Sequence, residues 1–347
     1  MSVSTSAQSL TYRSAQVPEA GGAFSFVERE LPEPQRGQVR LTVEACGICG
    51  SDPGFVDGAY PGLSYPVVPG HEIAGRVDAI GDGVDGWQAG DRVAVGWFGG
   101  NCGTCQSCRE GDFIHCARLQ IPGLAYPGGY AEAVIVPSSA LAGVPGEMSA
   151  VEAAPMGCAG VTTFNALRRS SARPGDLVAV LGLGGLGHLG VQFAAALGFE
   201  TVAIARGTGK AGEAKSLGAH HYIDSNASDV AKRLQDLGGA KAVLSTVPSS
   251  DAMSATIDGL RRGGELVVVG VTPDPIQVSP LQLIPFSRSV HGHPSGTARE
   301  VEETLRFAAL TGVRAKTEAR PLADVTAAYH RMLSGDARYR MVLTTGK

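Results

Sequence analysis

The chain has 347 residues, 44% of them hydrophobic and 18% charged, with a formal net charge of −4. That length exceeds one ordinary core, and the balance of residues is that of a folded globular protein, which excludes the disordered and fibrous classes. The small negative charge gives no electrostatic reason to expect nucleic acid or an anionic membrane as partner, and no run approaches the roughly 18 apolar residues of a membrane span.

The opening segment, MSVSTSAQSL, has neither a basic region nor an apolar core, so a secretory signal is not expected. Seven cysteines in such a chain read as thiolate ligands sooner than as disulfides, and the cytoplasm is the expected compartment. Residues 12–136 fall into short strand-like runs (QVRLTVEAC, EIAGRVDAIG, DRVAVGW, AEAVIVP), each bounded by Gly, Pro or Asp. That pattern predicts a β-rich domain with long functional loops.

Within this part, Cys49-Gly50-Ser51-Asp52 follows a predicted strand and Pro69-Gly70-His71-Glu72 lies further along. Cys102, Cys105, Cys108 and Cys116 then follow at close spacing. Four thiolates so arranged can close a tetrahedral shell around Zn²⁺ and leave no position for substrate, so this set is read as structural. An iron–sulfur cluster is the rival, but the bacterial ferredoxin run has a shorter last gap and a following proline.

Near Val151 the character changes. VEAAPMGCAGVTTFNAL has helical spacing, and Cys158 lies inside it. Cys49, His71 and Cys158 together make a three-ligand zinc site with one open position, the catalytic pattern; Asp52 and Glu72 beside the ligands suit outer-shell roles. Cys46 is left over, most simply as a buried strand-end residue.

The apolar run 177–181 leads into Gly182-Leu183-Gly184-Gly185-Leu186-Gly187 and then a helix. Such a turn admits a pyrophosphate through Gly182 and Gly184, packs closely through Gly187, and offers it the helix N-terminus beyond Leu186. The following strand 201–205 ends at Ala205, where NAD enzymes place a carboxylate for the ribose 2′-OH. Without that carboxylate, and with Arg206 available for a 2′-phosphate, NADP(H) is favoured; NAD(H), bound through Lys210, is the alternative. Further strand–helix alternation (KAVLSTV, GGELVVVGV) predicts a parallel sheet, and AREVEETLRFAAL, ADVTAAYHRML and YRMVLTT predict two helices and a closing strand.

CGICGSD, GHEIAGRVDAIGDGV, GDRVAVGW, CGTCQSCREGDFIHC and GLGGLGHLGVQFAAALG together resemble the zinc-dependent medium-chain dehydrogenase/reductase family. Within it they are most similar to the alcohol dehydrogenase and cinnamyl-alcohol-dehydrogenase-like branch. The resemblance covers nearly the whole chain and implies an α/β fold, with a doubly wound Rossmann sheet inserted into a β-rich GroES-like catalytic domain. The implied limits are 1–157 for the catalytic domain with both zinc sites, 158–293 for the Rossmann domain, and 294–347 for the return to the catalytic domain.

By resemblance, two zinc ions are implied per chain, with Cys49, His71 and Cys158 at the catalytic one and the four clustered cysteines at the other. Ser51 would pass the substrate proton, Thr162 would pack on the nicotinamide, and Arg340 would contact the pyrophosphate. Tyr60, Trp97 and Phe98 would line an apolar substrate pocket. Gly54 stands where many relatives carry a relay histidine, and Gly50 where some carry a basic residue. The expected reaction is hydride transfer between NAD(P)(H) and a primary alcohol/aldehyde pair, by a homodimer or homotetramer. The alternatives are a non-catalytic cofactor-binding member of the fold, or a relative reducing C=C or C=N bonds.

Overall fold

A computed structural model describes residues 10–346; the opening stretch read for a targeting signal lies outside the described residues apart from Leu10. The chain forms two compact units, one of residues up to 157 with 297–299 and the segment from 317 onward, the other of 158–296 with 300–316. Among the described residues, no helix is long and apolar enough to cross a membrane.

The first unit opens with the antiparallel pair β1 (Thr11–Gln16) and β2 (Ser25–Glu30). Its main sheet is built on β3 (Gln38–Gly47), with Val39, Leu41 and Val43 fully buried. β4 (Ile73–Ile80) pairs antiparallel with β3, and β5 (Arg92–Val95) with β4. β6 (Ala133–Pro137) also pairs with β3, and β7 (Ala142–Gly143) closes on β5.

In the second unit, β8 (Leu177–Leu181), β9 (Glu200–Ala205), β10 (His221–Asp224), β11 (Ala240–Ser245), β12 (Leu260–Val268) and β13 (Ser289–Gly292) form one sheet. Every pairing is parallel, in the order β10-β9-β8-β11-β12-β13. This is the dinucleotide-binding order, and its direction reverses at β8, whose carboxyl end carries the glycine-rich turn. All five residues of β8 are buried, as a strand covered on both faces by helices requires. Returning to the first unit, β14 (Thr317–Pro321) runs parallel to β15 (Arg340–Thr344), and β15 pairs antiparallel with β3.

Two expectations are corrected. The return to the first unit comes mainly at 317 and not at 294, because the helix Ala298–Thr311 is held within the second unit from 300 on. Phe307 stacks on Phe164 at 4.7 Å and meets Phe193 at 6.1 Å, while Arg168 binds Glu303 at 2.7 Å. The helix expected across VEAAPMGCAGVTTFNAL is also broken. Ala150–Ala153 is α-helical, Ala154–Gly157 tightens to a 3₁₀ turn, and Ala159–Arg168 resumes as α-helix. Pro155 lacks the N–H a continuous helix needs, and a Cβ on Gly157 would approach Gly96 Cα to 3.0 Å. The break leaves Cys158 non-helical (φ −128°, ψ −74°) at the helix start.

Candidate active site

The ends of β3 and β4 bring the first donors together. Cys46 is opposite Ile73 in the ladder, so the turn after β3, with Cys49, meets the segment before β4, with His71 and Glu72. Gly47 N–H donates to Glu72 O at 2.8 Å and locks the two segments. Gly70 makes the approach possible: its φ is +105°, and a Cβ there would lie 2.6 Å from the Tyr130 ring. Cys158 hangs directly from Gly157, the last residue of the buried 3₁₀ turn. One ligand atom each from Cys49, His71, Glu72 and Cys158 lie within 4.8 Å of one another. Cys46 is not in that group; it is a buried strand-end thiol beside Gly70.

Asp52 organises the cluster from behind. Its Oδ2 accepts the Cys49 N–H and the Tyr130 hydroxyl, each at 2.7 Å, and its Oδ1 stands 3.2 Å from His71 Nδ1. A carboxylate on one ring nitrogen turns the other toward a metal. That other atom, Nε2, is buried and has no hydrogen-bond partner. Burial by itself disfavours the imidazolium, yet the charges of Asp52 and Cys49 raise its pKa well above the ordinary histidine value. Glu72, expected behind the ligands, instead stands among them. Its other side binds Arg340, and Oε2 is buried without a hydrogen-bond partner. Burial pushes the Glu72 carboxyl up to about 7, with the Arg340 charge opposing and the Cys49 charge adding to the rise. A buried pocket with two sulfurs, an unmatched imidazole nitrogen and an unmatched carboxylate oxygen fits a divalent cation, which would supply the missing charge.

Arg340, expected against a pyrophosphate, is buried and committed to Glu72. Ser51 Oγ lies 3.8 Å from Cys49 Sγ. Beside His71 stands a group of rings: Trp97 meets it edge-on at 5.0 Å, Phe55 lies 5.9 Å away, and Tyr60 stacks on Phe55 at 4.7 Å. Tyr60 also donates its hydroxyl to Ser51 O at 3.1 Å. The absence of a side chain at position 54 has its reason here, since a Cβ on Gly54 would sit 2.5 Å from the Tyr60 ring. Phe98, expected with Tyr60 and Trp97, packs instead with Ile114, Leu119 and Ala298. Phe55 and Tyr130 escaped sequence reading because a lone aromatic beside a motif or strand carries no signal of its own; only the fold brings them to His71 and Asp52.

The four clustered cysteines also have ligand atoms within 4.8 Å of one another. Cys102 and Cys108 sulfurs are 4.0 Å apart, those of Cys105 and Cys116 3.9 Å; tetrahedral zinc–thiolate bonds set such pairs at about 3.8 Å. The loop aims N–H groups at the sulfurs: Cys105 N at Cys102, and Cys102 N and Arg118 N at Cys116. Donors from Thr104, Cys105 and the Arg118 side chain bring the Cys102 thiol down to about 5, whereas burial lifts Cys116 to about 11. These donors bias Cys102 toward its thiolate form.

In the second unit Gly182 has φ +99°, and a Cβ on Gly187 would collide with Gly182 O at 1.9 Å. Both must be glycine for the turn to close on the helix Gly187–Ala196. Ala205 ends β9, Arg206 is exposed beyond it, and Lys210 Nζ donates to Leu183 O at 3.0 Å across the turn. Thr162 is buried in the helix Ala159–Arg168.

Comparison with known proteins places these features in a family context. Residues 35–146 match the alcohol dehydrogenase GroES-like domain, and residues 185–309 match the zinc-binding dehydrogenase domain. An alcohol dehydrogenase of Penicillium expansum is 40% identical over 334 residues, covering 96% of this chain and 98% of its own. A cinnamyl alcohol dehydrogenase of Sorghum bicolor superposes with a TM-score of 0.88 at 30% identity, over 96% of this chain and 98% of that one. The Helicobacter pylori CAD, solved in complex with NADP(H), has a TM-score of 0.85 at 26% identity, over 98% and 99% of the two chains.

Proposed function

The chain belongs to the zinc-dependent medium-chain dehydrogenase/reductase family and is an NAD(P)-dependent alcohol dehydrogenase, and from that premise we propose that it is an NADP(H)-preferring enzyme with two zinc ions per chain. The observation that carries the site is the convergence of Cys49, His71, Glu72 and Cys158 within 4.8 Å, with Asp52 behind His71. Six cysteines arranged as thiolate donors suit a reducing compartment, which supports the cytoplasm. From family habit we carry over assembly as a homodimer or homotetramer.

Cys49, Cys158 and His71 Nε2 would hold the catalytic ion, with Glu72 Oε2 as an adjacent donor. Cys102, Cys105, Cys108 and Cys116 hold the structural one. When bound, zinc supplies a Lewis acid for the substrate oxygen, and the nicotinamide supplies or takes up the hydride. Ser51 Oγ would hydrogen-bond the substrate hydroxyl and, in oxidation, take its proton while passing its own hydroxyl proton on toward water, the reverse holding in reduction. Asp52 fixes the His71 ring, and Arg340 balances the charge of Glu72. Phe55, Tyr60 and Trp97 present apolar faces that keep water from a primary alcohol or aldehyde. Gly182, Gly184, Gly185, Leu186 and Gly187 would cradle the pyrophosphate, and Thr162 would pack on the nicotinamide.

NADP(H) preference rests on Ala205 replacing a carboxylate and on exposed Arg206, with Lys210 beside the turn. The NADP(H) complex of the Helicobacter pylori relative adds support. A charge-assisted contact of about 1.5–3 kcal/mol corresponds to about 10–100-fold in affinity. Arg206→Ala is therefore expected to lower kcat/KM with NADPH by at least about tenfold, leaving NADH nearly unchanged. Equal effects on both cofactors in an aldehyde-reduction assay would refute the preference.

Tyr130→Phe removes a buried donor from Asp52 Oδ2 while keeping the ring. It is expected to cost about 1 kcal/mol of stability and to weaken zinc retention by roughly 10–100-fold. Chelator competition measures the retention. If it stays at the wild-type level, Asp52 does not act through Tyr130.

A further inference from the structure

The second unit holds a fully buried histidine that no step above employs. His188 is the second residue of the helix Gly187–Ala196. Its Nδ1 lies 3.1 Å from Gly184 O, and its backbone N–H donates to the same oxygen at 3.0 Å. Its Nε2 accepts the backbone N–H of Lys316 at 3.1 Å. A carbonyl requires a donor and an N–H an acceptor, so the ring is neutral with its proton on Nδ1. One turn along the same helix face, Gln192 donates to Arg314 O at 3.0 Å and accepts Arg314 N–H at 3.2 Å. The two side chains thereby grip the backbone of 314–316, the last residues of this unit before the chain leaves it.

The consequence lies in one peptide plane. The Gly184–Gly185 bond is not among the cis peptides, so its C=O and N–H point in opposite directions. With two donors drawing the Gly184 carbonyl toward the helix, the Gly185 N–H is turned outward past the helix N-terminus. That is the direction in which free N–H groups and the helix dipole favour an anion. The outer side of Gly184 is open, for a Cβ there would meet nothing within 4 Å.

We propose that His188 is a positioning residue of the dinucleotide site: braced on the backbone at 314–316, it aims the 184–185 peptide at the cofactor pyrophosphate. The proposal rests on the reading of the 182–187 turn as the NADP(H) site. Its test compares the binding of NADPH, ADP and adenosine 2′-monophosphate, the last lacking a pyrophosphate or diphosphate, to the zinc-loaded enzyme.

His188→Ala is expected to weaken NADPH and ADP about tenfold, to leave adenosine 2′-monophosphate unchanged, and to preserve kcat at saturating cofactor. Should this variant fail to fold, two others serve. His188→Asn retains a donor near Gly184 O but gives up the Lys316 brace, and should bind ADP more tightly than the alanine variant, whereas His188→Gln reaches Lys316 without that donor and should bind no better than alanine. Equal weakening of all three ligands, equal ADP binding by the Asn and Gln variants, or a fall in melting temperature with unchanged ADP binding would each overturn the proposal. Failure of wild-type enzyme to bind either nicotinamide cofactor would overturn the dinucleotide reading itself, and the proposal with it.

Discussion

His71→Ala is expected to reduce kcat/KM by on the order of 10³-fold or more, since the several kcal/mol that a bound Lewis acid contributes convert at about 1.4 kcal/mol per factor of ten. His71 is fully buried, and its Nε2 is matched by no hydrogen bond. Its loss removes a metal donor and leaves Asp52 Oδ1 without the ring now 3.2 Å away. Asp52 Oδ2 keeps its bonds from Cys49 N and Tyr130, so the turn around Cys49 should survive. Zinc analysis should fall from two ions per chain toward one, while NADPH affinity stays within about twofold, because the dinucleotide turn shares no residue with this cluster. Normal turnover, or two retained zincs, would show that Cys49, His71 and Cys158 are not the catalytic ligand set.

Cys105→Ala acts on stability. The loop 102–116 contributes little apolar burial of its own. Ile114 packs with Phe98, Leu119 and Ala298, while Phe113 is exposed. The four sulfurs converge on one point, and a cation bound there would hold the loop by balancing the charge of their thiolate forms. Removing one of four ligands should cost about 3–5 kcal/mol. For a protein this large that lowers the melting temperature by roughly 4–7 °C. The remaining activity per active-site zinc should be near normal at low temperature. An unchanged melting transition with two zincs per chain would refute the structural-zinc assignment. The two variants thus separate the clusters: the first abolishes chemistry with the fold kept, the second weakens the fold with the chemistry kept.

Some of this was legible because local chemistry writes itself into spacing. The run Cys102, Cys105, Cys108, Cys116 places four thiolates on one short loop, and the glycine-rich turn between an apolar run and a helix is one contiguous device. Such features depend on neighbours along the chain, and a single sequence contains those neighbours. The α/β class followed in the same way, from strand–helix alternation after residue 170.

The tertiary structure decided whatever depends on contacts distant in sequence. Glu72 stands among the donors, paired to Arg340 across 268 positions, because antiparallel pairing of β15 with β3 brings that arginine to the site. Phe98 turns to the cysteine loop, Phe55 takes its place beside His71, and Tyr60 occupies the volume that Gly54 leaves free. The helix read across Cys158 breaks because Gly157 must pass close to Gly96. Burial, charge pairing and steric exclusion arise only once the chain has folded back on itself, so residue types and order determined which groups this protein carries, and packing alone decided which of them meet.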